Sequence, residues 1–300
     1  MLDSQLRLWL SAAPRFFYNH RVPEQPVKRR VRASSDWRFI ACLSVIGGTY
    51  IVLIIAMVLA DLAYTSPSEI MGALARREIQ YAIKLSLLSC TAAALLSLVV
   101  GIPLGYLLSR ARFFGKTFVD AVLDIPIVLP PLVIGLSLLI LFQVKIGSHT
   151  IEEWFADERF LAMPVTFHIP SVILAQFTVA AAFAVRTMRV TFDQINPRAE
   201  QVALTLGCTR AQAFWRVTLP ESRRGVFTAA TLAWARSLGE FGPILVFSGA
   251  TRMRTEVLST TVFLELSVGQ LHAAVAVSLL MIATAVIVLL IVRGDRKSVV

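Results

Sequence analysis

The sequence predicts an all-α integral membrane protein with six transmembrane helices. Three observations carry this expectation. Of 300 residues, 56% are hydrophobic and 16% charged, against roughly 45–50% and about 25% in a soluble domain. The apolar residues are gathered into long runs, each near the roughly 20 residues needed to cross a bilayer. Lys and Arg collect in alternate connecting segments, as they do when loops alternate between two sides of a membrane.

Residues 1–36 read as a basic tail of their own. Leu2, Leu6, Leu10, Ala13 and Phe17 recur at near-helical spacing, which fits either a surface helix or a disordered tail. The first apolar run, about 37–62, is too long for the core of a signal peptide and reads as an uncleaved span. The second, about 80–108, contains Gly101, Pro103 and Gly105, residues that spans tolerate where neighbouring helices satisfy the freed backbone. The third, about 118–142, carries Pro126, Pro130 and Pro131. A proline-rich span cannot be a straight helix, so a kink or local unwinding is expected there. Residues 143–167 form a polar loop with Glu152, Glu153, Asp157 and Glu158. The fourth span is expected at about 168–190, the fifth at 224–248 and the sixth at 271–292. A short tail, 294–300, closes the chain.

Charge sets the orientation. Eight Lys and Arg lie in 1–38, three in 109–117, six in 189–224 and three in 293–300, against six in the segments between. The basic side is the inner one, so both termini and residues 193–222 are expected inside, and 143–167 outside. The net charge of +10 is thus a topology signal, and no nucleic-acid partner is expected. Membrane lipid is.

The polar stretch 195–220 spells two short helices with a break. Asn196 can cap the first, and Pro197 sits at its first position, where a missing N–H costs nothing. Ala199, Val202, Ala203 and Leu206 fall on one face. Gly207 comes where a left-handed C-cap is wanted. Thr209 and Gln212 form a capping box for the second helix, and Pro220 is expected to stop it.

This stretch resembles the EAA loop of ABC-importer permeases: Glu-Ala-Ala, three residues, Gly, nine residues, Ile, one residue, Leu-Pro. Gln201, Val202 and Ala203 stand in the first three places, with Glu200 one place upstream. Gly207, Val217, Leu219 and Pro220 keep the spacing. The run Ile125-Pro-Ile-Val-Leu-Pro-Pro-Leu-Val133 is similar to a segment of molybdate and sulfate permeases. So are Leu238-Gly-Glu-Phe-Gly242 and the run Arg254–Leu266. The resemblance covers about residues 80–293. It implies a type I ABC-importer permease fold over 37–293, placed in the cytoplasmic (inner) membrane. It implies cytoplasmic ABC ATPase subunits that carry ATP and Mg, an external or periplasmic solute-binding protein, and a second permease subunit, with a homodimer favoured. The cargo implied is a tetrahedral oxyanion, molybdate or tungstate first and sulfate next. Another solute on the same scaffold is the alternative. The resemblance assigns ATPase coupling to Glu200, Gln201, Val202, Ala203, Gly207, Val217, Leu219 and Pro220.

No catalytic residue and no cofactor are expected in this chain. Gly115-Lys116-Thr117 imitates the end of a phosphate-binding loop, but that loop needs a glycine at position 110, which is Arg. Cys42, Cys90 and Cys208 are scattered, and His20, His149, His168 and His272 are isolated, so no metal site is expected. Arg236 and Glu240, four apart in the fifth span, share one helix face. Ionisable residues at mid-membrane usually face a bundle interior or a water-filled path. The pair therefore either packs helices or lines a translocation path, together with Pro130 and Pro131. A membrane-embedded enzyme would have to use the same two residues.

Overall fold

The computed structural model describes residues 37–157 and 162–297. The expected tail 1–36 and residues 298–300 lie outside the described residues. The chain divides into two compact units between Ile55 and Ala56. The described part of the first, 37–55, is helical and belongs to α1 (Trp37–Tyr64), whose apolar window has no buried residue.

In the second unit, α2 (Pro67–Ala75) occupies what the sequence presents as a short loop; Ser66 and Glu69 form its capping box. The long α3 (Arg77–Arg110) follows. The expected third span is two helices, α4 (Lys116–Val128) and α5 (Pro131–Gln143), bent by 112° at Leu129-Pro130. The loop expected over 143–167, whose Glu158 lies outside the described residues, is more ordered in its described part than its polarity implied. It holds a hairpin, β1 (Lys145–Ile146) and β2 (His149–Thr150), which turns at Gly147 with φ +71°. A short helix, α6 (Ile151–Ala156), then starts on a Thr150–Glu153 capping box. Hydrogen bonds from the Ser66 and Thr150 backbones hold the Glu69 and Glu153 carboxyls below their ordinary range.

After α7 (Ile169–Gln194) come α8 (Pro197–Thr205) and α9 (Arg210–Ala213), a π turn (Phe214–Thr218) and α10 (Leu219–Glu221). The expected fifth span is α11 (Arg223–Leu238) and α12 (Gly242–Phe247). The last elements are α13 (Leu258–Ser267) and α14 (Leu271–Lys297). Among the described residues, four helices are long and apolar enough to cross a membrane, or five if α4 and α5 make one span. The break between α11 and α12 leaves pieces of 16 and 6 residues, which is why the expected fifth span does not stand out by length. The six-span expectation is consistent with this arrangement.

Small residues bring α3 and α7 together. A β-carbon at Gly105 would lie 2.7 Å from Met188 Cβ, and one at Gly101 would lie 3.0 Å from Ala184 Cβ. Gly-x-x-x-Gly spacing allows this close approach, which in lipid replaces the hydrophobic effect as the source of helix association. Ile79, Cys90, Ala180, Ala184, Ala233, Trp234, Leu258, Ala276 and Val277 make one buried cluster, and Phe142, Val172, Ile244 and Phe247 belong to a second.

Candidate functional site

The 195–222 stretch folds largely as its local signals dictate. Asn196 caps α8 by accepting from the Arg198 N–H, and Pro197 is its first residue. Gly207 has φ +89°. Thr209 and Gln212 form the reciprocal capping box of α9. Pro220 does not stop the chain. Helical backbone continues through it from the π turn, in which the Leu219 N–H reaches the Phe214 carbonyl. Pro220 stands in the first turn of α10, where a missing N–H costs least.

Of the expected apolar stripe, only Ala203 is buried; Val202 and Leu206 are exposed, as is Trp215. Gln201 is also exposed, Val217 and Leu219 are half-buried, and Pro220 is exposed. The inward face of α8 instead carries Glu200. Its carboxylate accepts the Tyr106 hydroxyl from α3 and the Thr218 hydroxyl from the π turn, the latter at 3.4 Å. Arg110 Nε lies 3.7 Å away, and Arg110 Nη2 donates to the Ile195 carbonyl at 2.9 Å. The Tyr106 ring packs edge-on against Phe192 and Phe214. One carboxylate thus joins α3, α8 and the π turn. The sequence signalled Glu200 only through its place in the motif, and gave no sign of its partners.

The Arg236–Glu240 pair is present. Arg236 Nη1 lies 2.7 Å from Glu240 Oε2, and that buried oxygen receives no aligned hydrogen bond, so the contact is ionic. Glu240 is in the break after α11, and Ser259 of α13 donates to its backbone carbonyl at 2.7 Å. The break faces the other one. A β-carbon at Gly242 would lie 2.8 Å from Pro131 Cβ, and one at Gly135 would lie 2.8 Å from Pro243 Cα. Pro130 and Pro131, which interrupt the third span, are thereby held against the interruption of the fifth. The structure thus pairs Arg236 with Glu240 and sets Pro131 against Gly242, two residues beyond Glu240.

Sequence reasoning missed the other charged contacts. Asp124 of α4 pairs with Arg186 of α7, and Asp120 with Arg189. The available signal was two Asp four apart and two Arg three apart in facing apolar segments. In the segment after α12, Arg252 bridges Glu78 at 2.9 Å and Glu265 at 3.0 Å, and Arg76 reaches Glu265 at 3.2 Å. Glu256 is wholly buried there, with no aligned hydrogen bond to either oxygen. Burial raises its carboxyl above the ordinary range, against weaker pulls from Thr261, Arg252 and the Met253 backbone.

A helical membrane bundle with broken spans and charge held at the breaks is the architecture of a membrane permease. Residues 101–296 match the family model "Binding-protein-dependent transport system inner membrane component". The sulfate transport system permease protein CysT of Escherichia coli is 32% identical over 80% of this chain and 84% of its own length. A probable molybdenum ABC transporter permease protein of Haloferax volcanii is 30% identical over 92% and 97%. The molybdenum transport system permease protein ModB of Haemophilus influenzae is 34% identical over 61% and 77%. Among solved structures, a chain of a bacterial alginate ABC transporter in complex with an alginate-bound periplasmic protein superposes with TM-score 0.70. It is 18% identical and is covered to 95%, with 88% of this chain covered; at that identity the likeness is one of fold. The chain belongs to the family of binding-protein-dependent ABC-importer permeases. It is a transport subunit of the inner-membrane class, not an enzyme.

Proposed function

We propose that this chain is the membrane subunit of an ATP-driven importer of a tetrahedral oxyanion, molybdate or tungstate before sulfate. The observation that carries this reading is the likeness, at 30% identity or more over most of their lengths, to permeases named for sulfate and for molybdenum. Two copies of the chain would form the pathway. Two ATPase subunits, which hold ATP and Mg, would dock on the inner side, and a solute-binding protein would deliver the anion from outside. The basic bias of 1–38, 109–117 and 189–224 supports placing both termini and the 193–222 segment inside.

In this reading α8 and α9 are the coupling helices. Their exposed Val202, Leu206 and Trp215 give the ATPase an apolar face to grip. The Glu200 contacts carry its movement to α3, and through Phe192 to α7. Closure of the ATPase pair would then shift the bundle between inward-open and outward-open states, each favoured by its own ligands. The test is co-purification of the chain with its partners, followed by uptake and ATPase assays with molybdate, tungstate and sulfate. ATP hydrolysis stimulated by none of the three in the presence of the binding protein would overturn the substrate class.

A further inference from the structure

Helix α7 presents three levels at steps of three residues, Phe183, Arg186 and Arg189, about 4.5 Å apart along its axis. Each level has a guanidinium. At the first, Arg236 of α11 lies with Cζ 5.8 Å from the Phe183 ring centroid. At the second is Arg186, and at the third Arg189. Each has its own carboxylate. Glu240 serves Arg236 and Asp120 serves Arg189. Asp124 grips Arg186 with both oxygens, Oδ1 lying 2.8 Å from Nε. Asp193 stands 3.9 Å from Arg189 as well.

An arginine kept only to lock helices would be enclosed with its partner. Here the guanidinium is the more open member at the first two levels. Side-chain exposure is 31% for Arg236 against 1% for Glu240, and 52% for Arg186 against 29% for Asp124. All three arginines fall within or at the edge of segments that the sequence assigns to the membrane, where unpaired charge is expensive and ionisable residues mark pathways.

We propose that Arg236, Arg186 and Arg189 form a stepped anion track, in which each carboxylate is a resident competitor that releases the passing oxyanion. This rests on the oxyanion reading above. A bare arginine in a low-dielectric path would cost insertion energy when empty and hold a dianion too long when full. Pairing it with a carboxylate solves both: the site is neutral at rest, and the carboxylate reclaims the guanidinium as the anion leaves. Transport through a series of sites needs binding that is favourable but weak at each. A dianion is also suited to two guanidinium groups at once, each offering parallel N–H donors, so adjacent levels can share it during a step.

The test measures uptake of molybdate and of sulfate by the assembled transporter at matched membrane abundance. Arg186→Gln should lower uptake by about tenfold or more, while hydrolysis stimulated by loaded binding protein persists. Asp124→Asn removes the competitor and keeps the cation, so the half-saturating concentration and the maximal rate should both fall. The double variant Arg186→Gln with Asp124→Asn decides the matter: it leaves no unpaired charge, so abundance should recover while uptake stays low. Uptake restored in the double variant, or unchanged in Arg186→Gln, would overturn the track and leave the pair a helix clamp. Wild-type protein that carries neither anion would overturn the oxyanion reading itself, and the track with it.

Discussion

Glu200 accepts the hydroxyl of Tyr106, a contact between residues 94 apart in sequence that ties α8 to the end of α3. A hydrogen bond to a charged group contributes about 1.5–3 kcal/mol. Tyr106→Phe keeps the ring against Phe192 and Phe214 and removes only the hydroxyl. Coupling should suffer more than stability: anions carried per ATP should fall, with the bundle still assembled. Unchanged stoichiometry in both Tyr106→Phe and Glu200→Gln would show that the contact transmits nothing.

Gly207 separates the two loop helices at φ +89°, and nothing lies within 4 Å of where its β-carbon would be. The position is demanding in backbone only. Gly207→Val should strain the junction by about 1–3 kcal/mol and abolish most transport while the protein still inserts. Gly207→Asn, which tolerates the left-handed region better, should retain much more. Equal losses in the two variants would point to lost contact with a partner instead of strain.

At Gly135 the opposite holds: its helix is regular, and the obstacle is Pro243, 2.8 Å from a would-be β-carbon. Gly135→Ala should push α5 from α12 and destabilise by roughly 1–3 kcal/mol, read as a lower melting temperature of the purified protein. Because this contact holds the two breaks together, transport should fall even at a temperature where the variant stays folded. A melting temperature equal to wild type would mean the helices separate freely there.

Orientation is testable by labelling. Glu153 and Leu206 are both exposed, Leu206 at 80%, and they lie in segments expected on opposite sides. In a background without native cysteines, Glu153→Cys should react with an impermeant thiol reagent in intact cells, and Leu206→Cys only after permeabilisation. The reverse pattern would invert the topology.

What was legible follows the range of the interactions. The α8 cap, the α9 capping box and the left-handed Gly207 depend on neighbours within about four residues, and all stand where the residues place them. The bend at Leu129-Pro130 is equally local, because proline removes a donor whatever surrounds it. Pro220 misled for the same reason: the local rule reads it as a stop, while the π turn before it depends on how Phe214 and Thr218 pack. The charged contacts were hidden because each joins distant segments. Arg186 shows that a span contains a cation, but only the placement of α4 against α7 makes Asp124 its partner. The capping box that opens α6 was open to reading, since Thr150 and Glu153 stand three apart, and the loop's polarity masked it.

Arg236 and Glu240 allow the sharpest separation of roles. A dianion is repelled by a bare carboxylate, so Glu240 does not hold cargo. Its near-complete burial leaves Arg236 the more open member of the pair. Glu240→Gln leaves Arg236 charged and able to meet the anion, so it should keep partial transport. Arg236→Gln strands a buried carboxylate without its cation, a loss that typically costs about 3–5 kcal/mol, and should reduce both assembly and transport. Replacing both removes the stranded charge. If the pair only packs helices, the double variant regains transport along with abundance. If Arg236 lines the path, the double variant assembles but remains slow, because neutralising Glu240 cannot replace the lost guanidinium. Transport of the three variants at matched abundance distinguishes these outcomes, and an Arg236→Gln variant as active as wild type would remove Arg236 from the path.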